Sequence, residues 1–279
     1  MRKKSNFLYI AAVVFIIVFS LGPILWSFVI SVTPENEMLK ASTSILPQEP
    51  MLDNYKSIFD TSTKEHQVAF KGLKNSLLMS GLTLIIGVPT SLITAYALAR
   101  YDFKGKKMFV NLLLLTIVIP AFATLIPVYS IFRKLGLLDN VFWTSVIYLS
   151  SFLPLNTWII MNYIKEIPKE LWQAAAIDGF NERQIFFKIA VPICCPIILT
   201  SVLIMFIMSW KQYIIPMILI SSHKHKMLTM VMSEFMTRDA IKYGIIAAVG
   251  IVSIIPPAIV AMIFRKFLVS GLTAGTVKQ

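Results

Sequence analysis

The sequence predicts an all-α protein with six transmembrane helices. Hydrophobic residues make up 57% of the 279 residues and charged residues only 14%, whereas soluble domains average about 25% charged residues. A soluble fold of this size cannot bury so much apolar surface. Six apolar stretches reach the length of about 20 residues that a helix needs to cross a bilayer. They cover residues 7–32, 75–99, 108–131, 141–164, 191–220 and 245–267.

The first apolar stretch follows Arg2, Lys3 and Lys4, as a secretory signal would. It is too long for the apolar region of a signal peptide and has no small-residue cleavage site before the polar residues 33–37. We therefore expect it to be retained as the first membrane helix.

The positions of lysine and arginine predict the orientation. The leader is basic, and residues 100–107 carry four basic side chains against one carboxylate, Asp102. Because basic residues collect in cytoplasmic loops, both termini are expected in the cytoplasm. Residues 33–74 and 221–244 then face outward, and residues 165–190 face inward. These loops account for the formal charge of +12, and no basic stripe with interleaved aromatics indicates nucleic acid.

Two absences from the sequence bear on energy coupling. The six predicted spans contain no Asp or Glu, although ion-coupled carriers usually place carboxylates at the middle of the membrane. The sequence also has no G-x-x-x-x-G-K-[ST] phosphate loop. We therefore expect this chain to bind no ATP, so that active transport would take its energy from a partner.

No metal site is predicted. Cys194 and Cys195 are adjacent, which is not the spacing of a zinc site, and both are expected to be small buried apolar side chains. His223 and His225 form a His-x-His pair, but the lysines beside them would repel a cation.

Residues 165–190 are too patterned for a simple connection and predict a helix–turn–helix. Pro168 suits a first helical turn, Gly179 suits the left-handed position after a helix, and Asn181 with Gln184 has capping-box spacing. The second helix would place Ile185 and Ile189 on one face and enter the membrane at Pro192. A run of three alanines, 174–176, predicts a flat surface that another protein could approach closely. The residues alone are equally consistent with an amphipathic elbow that only links two spans.

In this loop the chain resembles the permease subunits of binding-protein-dependent ABC importers. Their cytoplasmic loop carries Glu-Ala-Ala, a following Gly and a later Ile-x-Leu-Pro. The segments 95–107, 155–160 and 267–279 extend the resemblance to the carbohydrate branch, which includes the maltose importer, and it covers nearly the whole chain. The residues that match the loop are Gln173, Ala174, Ala175, Asp178, Gly179, Ile189, Val191 and Pro192.

The resemblance implies a single permease domain, residues 1–279, in a bacterial cytoplasmic membrane. The implied partners are a second homologous permease, two ATPase subunits that hold ATP and Mg²⁺, a solute-binding protein and an oligosaccharide. The loop would dock in a groove of an ATPase subunit. Two residues depart from the family pattern: Gln173 replaces the leading Glu and loses its charge, and Phe180 replaces an Ala and offers a larger contact.

Substrate-path residues are predicted near Lys211, which stands where relatives carry Asn. A lysine within a span costs about 2.5–3.5 kcal/mol, so it would pair with the partner permease, attract an anionic sugar such as a uronate, or snorkel to the surface. Amide and aromatic side chains that sugars favour are also candidates, although in relatives the other permease supplies most of the pocket. They are Trp210, Gln212, Tyr213, Asn156 and Trp158.

The resemblance also implies that residues 221–244 reach the solute-binding protein, through adaptable apolar side chains. These are Met227, Met230, Met232, Phe235 and Met236. The alternatives are a stand-alone secondary carrier or facilitator, and the same machine for a non-sugar solute such as glycerol phosphate.

Overall fold

The computed structural model describes residues 2–38, 46–119, 121–236 and 241–273. Within these ranges the chain is helical, and the one β-type pairing is an isolated bridge between Met236 and Ile241. The prediction of an all-α fold is confirmed. The α-helices are α1 (Arg2–Val32), α2 (Glu35–Met38), α3 (Asp53–Phe59), α4 (Lys64–Arg100), α5 (Lys106–Val118), α6 (Ala121–Lys134), α7 (Val141–Lys165), α8 (Lys169–Ile177), α9 (Glu182–Ile185), α10 (Val191–Ile193), α11 (Cys195–Trp210), α12 (Ile214–Leu219), α13 (Leu228–Val231) and α14 (Tyr243–Thr273).

Four described helices are long and apolar enough to cross a membrane: Tyr9–Val32, Lys64–Arg100, Val141–Lys165 and Tyr243–Arg265. They contain the second and fourth predicted spans and most of the first and sixth. The number rises to six if each of two bent helix pairs forms one span. The first pair covers the third predicted span, and the second pair overlaps the fifth in residues 191–210.

The chain divides into two compact units. The smaller unit comprises residues 1–73 and 228–255. In it the end of α1 is tied to α3, because the Ser31 hydroxyl lies 2.7 Å from the Tyr55 hydroxyl and Asn54 Nδ2 donates to the Ser31 carbonyl at 2.9 Å. Lys242 also donates to a Glu65 carboxylate oxygen at 2.9 Å.

The larger unit comprises residues 74–227 and 256–279. In it α7 packs against α5, α11 and α12. Gly87 allows α4 to approach closely, since a Cβ there would overlap side-chain atoms of Leu149 and Met205. A second apolar core joins the end of α4 to α7, α8 and α11. This core supports the segment that follows α7.

The third predicted span is not one straight helix. Helix α5 ends at Val118, and Ile119 has extended backbone angles (φ −66°, ψ 122°). The next residue in the sequence is Pro120, and the residue before a proline is pushed out of the helical region by the proline ring. Hydropathy alone did not reveal this interruption.

The fifth predicted span is broken twice. The axis bends by 72° between residues 182–193 and 195–210, where Pro196 would clash with the Pro192 carbonyl in a straight helix. A second break follows Trp210, and α12 starts at Ile214. Pro216 explains this break, because its ring would clash with the Gln212 carbonyl and it has no N–H to donate to it.

The prediction that both cysteines are buried is wrong for Cys195. Cys194 is fully buried, whereas Cys195 is exposed. Consecutive helical residues point about 100° apart, and here Cys194 faces the apolar core while Cys195 faces away from it.

Candidate functional site

Residues 165–190 fold as a helix, a turn and a second helix. At the end of α8, Gly179 has φ +81°. Its amide donates to the Ala176 carbonyl and the Phe180 amide to the Ala175 carbonyl, both at 3.1 Å. This is a Schellman motif, which closes a helix with a left-handed residue. The prediction for Gly179 is confirmed.

The second helix starts with the predicted capping box. The Gln184 amide donates to Asn181 Oδ1 at 2.9 Å, and the Asn181 amide donates to Gln184 Oε1 at 2.9 Å. These two bonds satisfy amides that a helix N-terminus otherwise leaves without a partner. The turn between α8 and α9 is therefore set by local hydrogen bonds at both ends.

An aromatic anchor fixes α8 to the rest of its unit. Trp172 is 5% exposed, and its ring meets the Tyr96 ring edge to face at a centroid distance of 6.3 Å. Tyr96 also contacts Phe186 edge to face at 5.0 Å. Tyr96 lies near the end of α4, so one buried tyrosine touches both sides of the turn. Such edge-to-face pairs contribute about 0.5–1.5 kcal/mol each beyond their burial.

Polar contacts around Glu182 reinforce this anchor. The Tyr96 hydroxyl donates to Glu182 Oε2 at 3.1 Å, and Arg100 lies 3.5 Å from Oε1. The Arg100 guanidinium also lies 5.8 Å from the centre of the Trp172 ring. Burial, together with the Glu182 carboxylate, raises the pKa of Tyr101. We name Tyr96, Arg100, Trp172 and Glu182 the anchor cluster. None of these four residues is predicted as a site residue from the sequence, although the i, i+3 spacing of Trp172 and Ala175 is typical of a buried helix face.

The opposite face of α8 is exposed in the part of the chain that the structure describes. Gln173, Ala174 and Asp178 are exposed, and Ile177 is 85% exposed. Ala175, by contrast, is only 4% exposed. The prediction that all three alanines form one open surface is therefore wrong for Ala175, because Trp172 turns that side of the helix inward.

The second helix reaches Pro192 as predicted, but its winding changes on the way, since a π-helix covers Phe186–Ala190 between α9 and α10. Ile185 is buried, and Ile189 is partly buried and packs against the same apolar core. The Val191 amide donates to the Phe186 carbonyl, five residues back. Pro192 is exposed and has no N–H for the helical ladder. Phe180 is half-buried, with Lys188 Nζ 5.6 Å from its ring centre.

The predicted substrate-path residues occupy two places. Trp210, Gln212 and Tyr213 adjoin Lys211 at the break between α11 and α12. Lys211 is exposed and caps the C-terminus of α11. Because a helix C-terminus carries partial negative charge, a lysine is favoured there for local reasons as well. Lys211 therefore lies at a helix break and not inside one continuous helix over residues 191–220.

Asn156 lies in the packed contact between α7 and α11. It is 1% exposed, its Oδ1 accepts from the Ser201 hydroxyl at 2.6 Å, and its Nδ2 donates to the Phe152 carbonyl at 3.1 Å. Trp210 is 8% exposed and stacks on Phe206, while Trp158 and Tyr213 are partly open to the surface.

Most of the apolar side chains predicted to form a surface in residues 221–244 are not exposed. Met227, Met230 and Phe235 are buried within this chain, and Met232 is partly buried. Of the five predicted contact residues only Met236 is well exposed, at 57%. The prediction of a methionine-rich docking surface is therefore wrong for the buried three.

Residues 222–226 are held by polar contacts instead. Asp139 Oδ1 accepts from the Ser222 amide at 3.0 Å, and its Oδ2 lies 3.5 Å from His225 Nδ1. Partial burial works to raise the pKa of Asp139, but the Ser222 hydrogen bonds and nearby His225 outweigh it and lower the pKa. Asn75 donates to the Lys224 and Lys226 carbonyls, each at 2.9 Å.

Comparison with known proteins places this geometry in a family. Residues 87–274 match the family described as "Binding-protein-dependent transport system inner membrane component". The chain is 31% identical to the sulfoquinovosyl glycerol transport system permease protein SmoH of Agrobacterium fabrum, covering 97% of this chain and 93% of that protein. It is 30% identical to the trehalose transport system permease protein SugB of Mycobacterium tuberculosis, with 93% of each covered.

A solved structure supports the same fold. The crystal structure of a bacterial ABC transporter involved in the import of the acidic polysaccharide alginate contains a chain with a TM-score of 0.76 at 24% identity. The match covers 95% of this chain and 98% of that one. From the family match and the full-length relatives together, the chain belongs to the inner membrane components of binding-protein-dependent transport systems.

Proposed function

We propose that this chain is one of two non-identical permease subunits of an ATP-driven importer of oligosaccharides in the bacterial cytoplasmic membrane. Its family is binding-protein-dependent, which argues against a stand-alone secondary carrier. Two relatives of nearly full length are permeases for glycosides, namely sulfoquinovosyl glycerol and trehalose. Two ATPase subunits with ATP and Mg²⁺, a second permease and a solute-binding protein complete the proposed machine.

The observation that supports this proposal most directly is the exposed face of α8. Gln173, Ala174 and Ile177 are exposed on a helix whose other side is buried against the anchor cluster. A partner that contacts this face pushes on Trp172, and through it on Tyr96 in the long helix α4 and on Phe186 after α9. The proposed ATPase closure would thus reach α4 and α11 through packed side chains.

Ile177 offers the sharpest test of docking. It is 85% exposed, and burying an Ile side chain against a partner contributes roughly 1.5–3 kcal/mol. Ile177→Ser should therefore lower retention of the ATPase subunits on the purified complex about tenfold or more. Leu135→Ser is the matched control. Leu135 is 64% exposed and lies before the start of α7, whereas α8 lies after the end of α7, so the two positions lie at opposite ends of that helix.

The energy source is tested on the same complex. We expect uptake in proteoliposomes to require ATP and the solute-binding protein, and to persist when the proton gradient is dissipated. Equal ATPase retention in the Ile177→Ser and Leu135→Ser variants would contradict docking on α8. Uptake that collapses with the proton gradient while ATP is kept would contradict the importer itself.

A finer proposal concerns the charge of the cargo. Lys211 is exposed at the α11–α12 break, and no carboxylate in the described ranges forms an ion pair with it. We propose that it supplies a favourable potential for an acidic sugar. The fold neighbour that imports acidic alginate is consistent with this.

Lys211→Asn separates the two main roles of this lysine. If the cargo is acidic, the variant should slow uptake of the acidic sugar several-fold at normal complex yield and basal ATP hydrolysis. If Lys211 pairs with a carboxylate of the partner permease, that carboxylate is left unpaired and the heterodimer is destabilised. Loss of yield with a proportionate loss of uptake would contradict the acidic-sugar role.

A further inference from the structure

A basic cavity lies beside the start of α5 and the end of α7, apart from the exposed face of α8. Its volume is about 660 Å³, and its lining includes Lys106, Lys107 and Lys165 with one carboxylate, Asp102. Helix α5 packs against α7, so residues far apart in sequence meet here. The lining therefore carries net positive charge.

The three lysines are not equivalent. Lys106 Nζ donates to the Tyr101 carbonyl at 2.8 Å and to Asp102 Oδ1 at 2.9 Å, so its charge is largely balanced. Lys107 and Lys165 are exposed, and neither forms a hydrogen bond or ion pair within the described part of the chain. The N-terminus of α5 adds partial positive charge at the same place. Two uncompensated ammonium groups and a helix N-terminus therefore converge on the cavity.

The surroundings of the cavity indicate a ligand that is charged at one end and apolar at the other. Phe103 and Val110 line it. Exposed apolar side chains continue along the first turns of α5, where Met108 is 67% and Leu112 is 50% exposed. The cavity lies at the end of α7, one of the helices long enough to cross a membrane.

We propose that this cavity binds the phosphate headgroup of an anionic phospholipid, with the acyl chains against α5. Basic pockets between membrane helices suit such headgroups. A free phosphate ion would satisfy the lysines equally well but would leave the apolar side chains of α5 without a role. The proposal does not depend on the cargo of the importer.

The test compares lipids of equal chain length on the intact complex. The complex is exchanged into bilayer discs of phosphatidylglycerol and phosphatidylcholine in equal amounts, and the retained lipid is counted by native mass spectrometry. Each lysine near an anionic surface contributes about 1 kcal/mol, or about fivefold. Lys107→Gln with Lys165→Gln should therefore lower the preference for phosphatidylglycerol roughly 25-fold.

Two control variants make the result decisive. Arg133→Gln with Lys134→Gln removes the same charge from the end of α6 and should keep the preference, as should Lys107→Arg with Lys165→Arg. An unchanged preference in the Gln pair would overturn the proposal. Displacement of the lipid by millimolar inorganic phosphate with no preference between the two lipids would assign the site to free phosphate. Loss of the ATPase subunits at an unchanged lipid preference would assign it to protein docking, and either result would overturn the proposal.

Discussion

The chain interrupts its helices in two different ways, at residues 178–181 between α8 and α9 and at residues 211–213 between α11 and α12. At the first place, Gly179 and Asn181 close one helix and start the next with their own hydrogen bonds. At the second, α11 stops because of Pro216, which lies beyond the break. The first interruption can therefore be predicted from the residues beside it, whereas the second depends on a proline, Pro216, inside an apolar run.

The anchor cluster gives the largest expected effect at the first place. Trp172→Ala removes a side chain that is 5% exposed, and such core substitutions cost about 3–5 kcal/mol. We expect a lower unfolding temperature of the complex and loss of coupling between ATP hydrolysis and uptake. Leu171→Ala, at a neighbour that is 39% exposed, should change both much less. Equal effects of the two variants would mean that Trp172 does not hold α8.

The next largest effect is expected at the second place. Pro216→Ala restores an N–H donor for the Gln212 carbonyl and removes a clash that disfavours a continuous helix by about 3 kcal/mol or more. Amide hydrogen exchange in residues 211–216 should slow at least tenfold. Pro154→Ala, within the continuous helix α7, should leave exchange at the α11–α12 break unchanged. Unchanged exchange in the Pro216 variant would show that packing, not this proline, stops α11.

The turn itself gives an intermediate effect. A Cβ at Gly179 would meet no atom within 4 Å, so Gly179→Val acts through the backbone angle alone, at about 1–2 kcal/mol. Insertion should be normal, while ATP hydrolysis continues without uptake. Gly179→Asn should retain more uptake, because Asn tolerates the left-handed region better. Full transport by the Val variant would refute the role given to the turn.

The helix cap gives the smallest effect. Asn181→Ala removes one half of the capping box and costs about 1 kcal/mol. The expected result is faster hydrogen exchange in residues 182–186 with a small loss of uptake. Asn181→Ser should restore slow exchange, since Ser is also a good cap. No difference between the Ala and Ser variants would mean that the cap contributes nothing measurable.

These two places also show how far the sequence could predict the structure. The helical class, the long apolar helices and the caps of residues 165–190 follow from composition and local motifs. The breaks do not, because Pro154 lies inside a continuous helix while Pro216 follows a break. A proline inside an apolar run therefore does not by itself say whether the helix continues past it, and hydropathy does not record the difference.

The candidate site, too, could be predicted from the sequence only in part. The roles of Gly179 and Asn181 follow from their residue types, because Gly adopts the left-handed conformation after a helix and Asn caps a helix N-terminus. The burial of Ala175 and Met230 depends on which side of a short helix meets a core, and Tyr96 and Glu182 are joined only by the fold. Contacts between residues so far apart in the sequence produce no local sequence pattern.

Thiol labelling at position 177 tests the central claim that the exposed face of α8 docks on an ATPase subunit. The background variant replaces both native cysteines, since Cys195 is exposed, and carries either Ile177→Cys or Leu135→Cys. We predict that the ATPase subunits slow labelling at position 177 at least tenfold and leave position 135 unchanged. Equal labelling at position 177 with and without the ATPase subunits would contradict the claim.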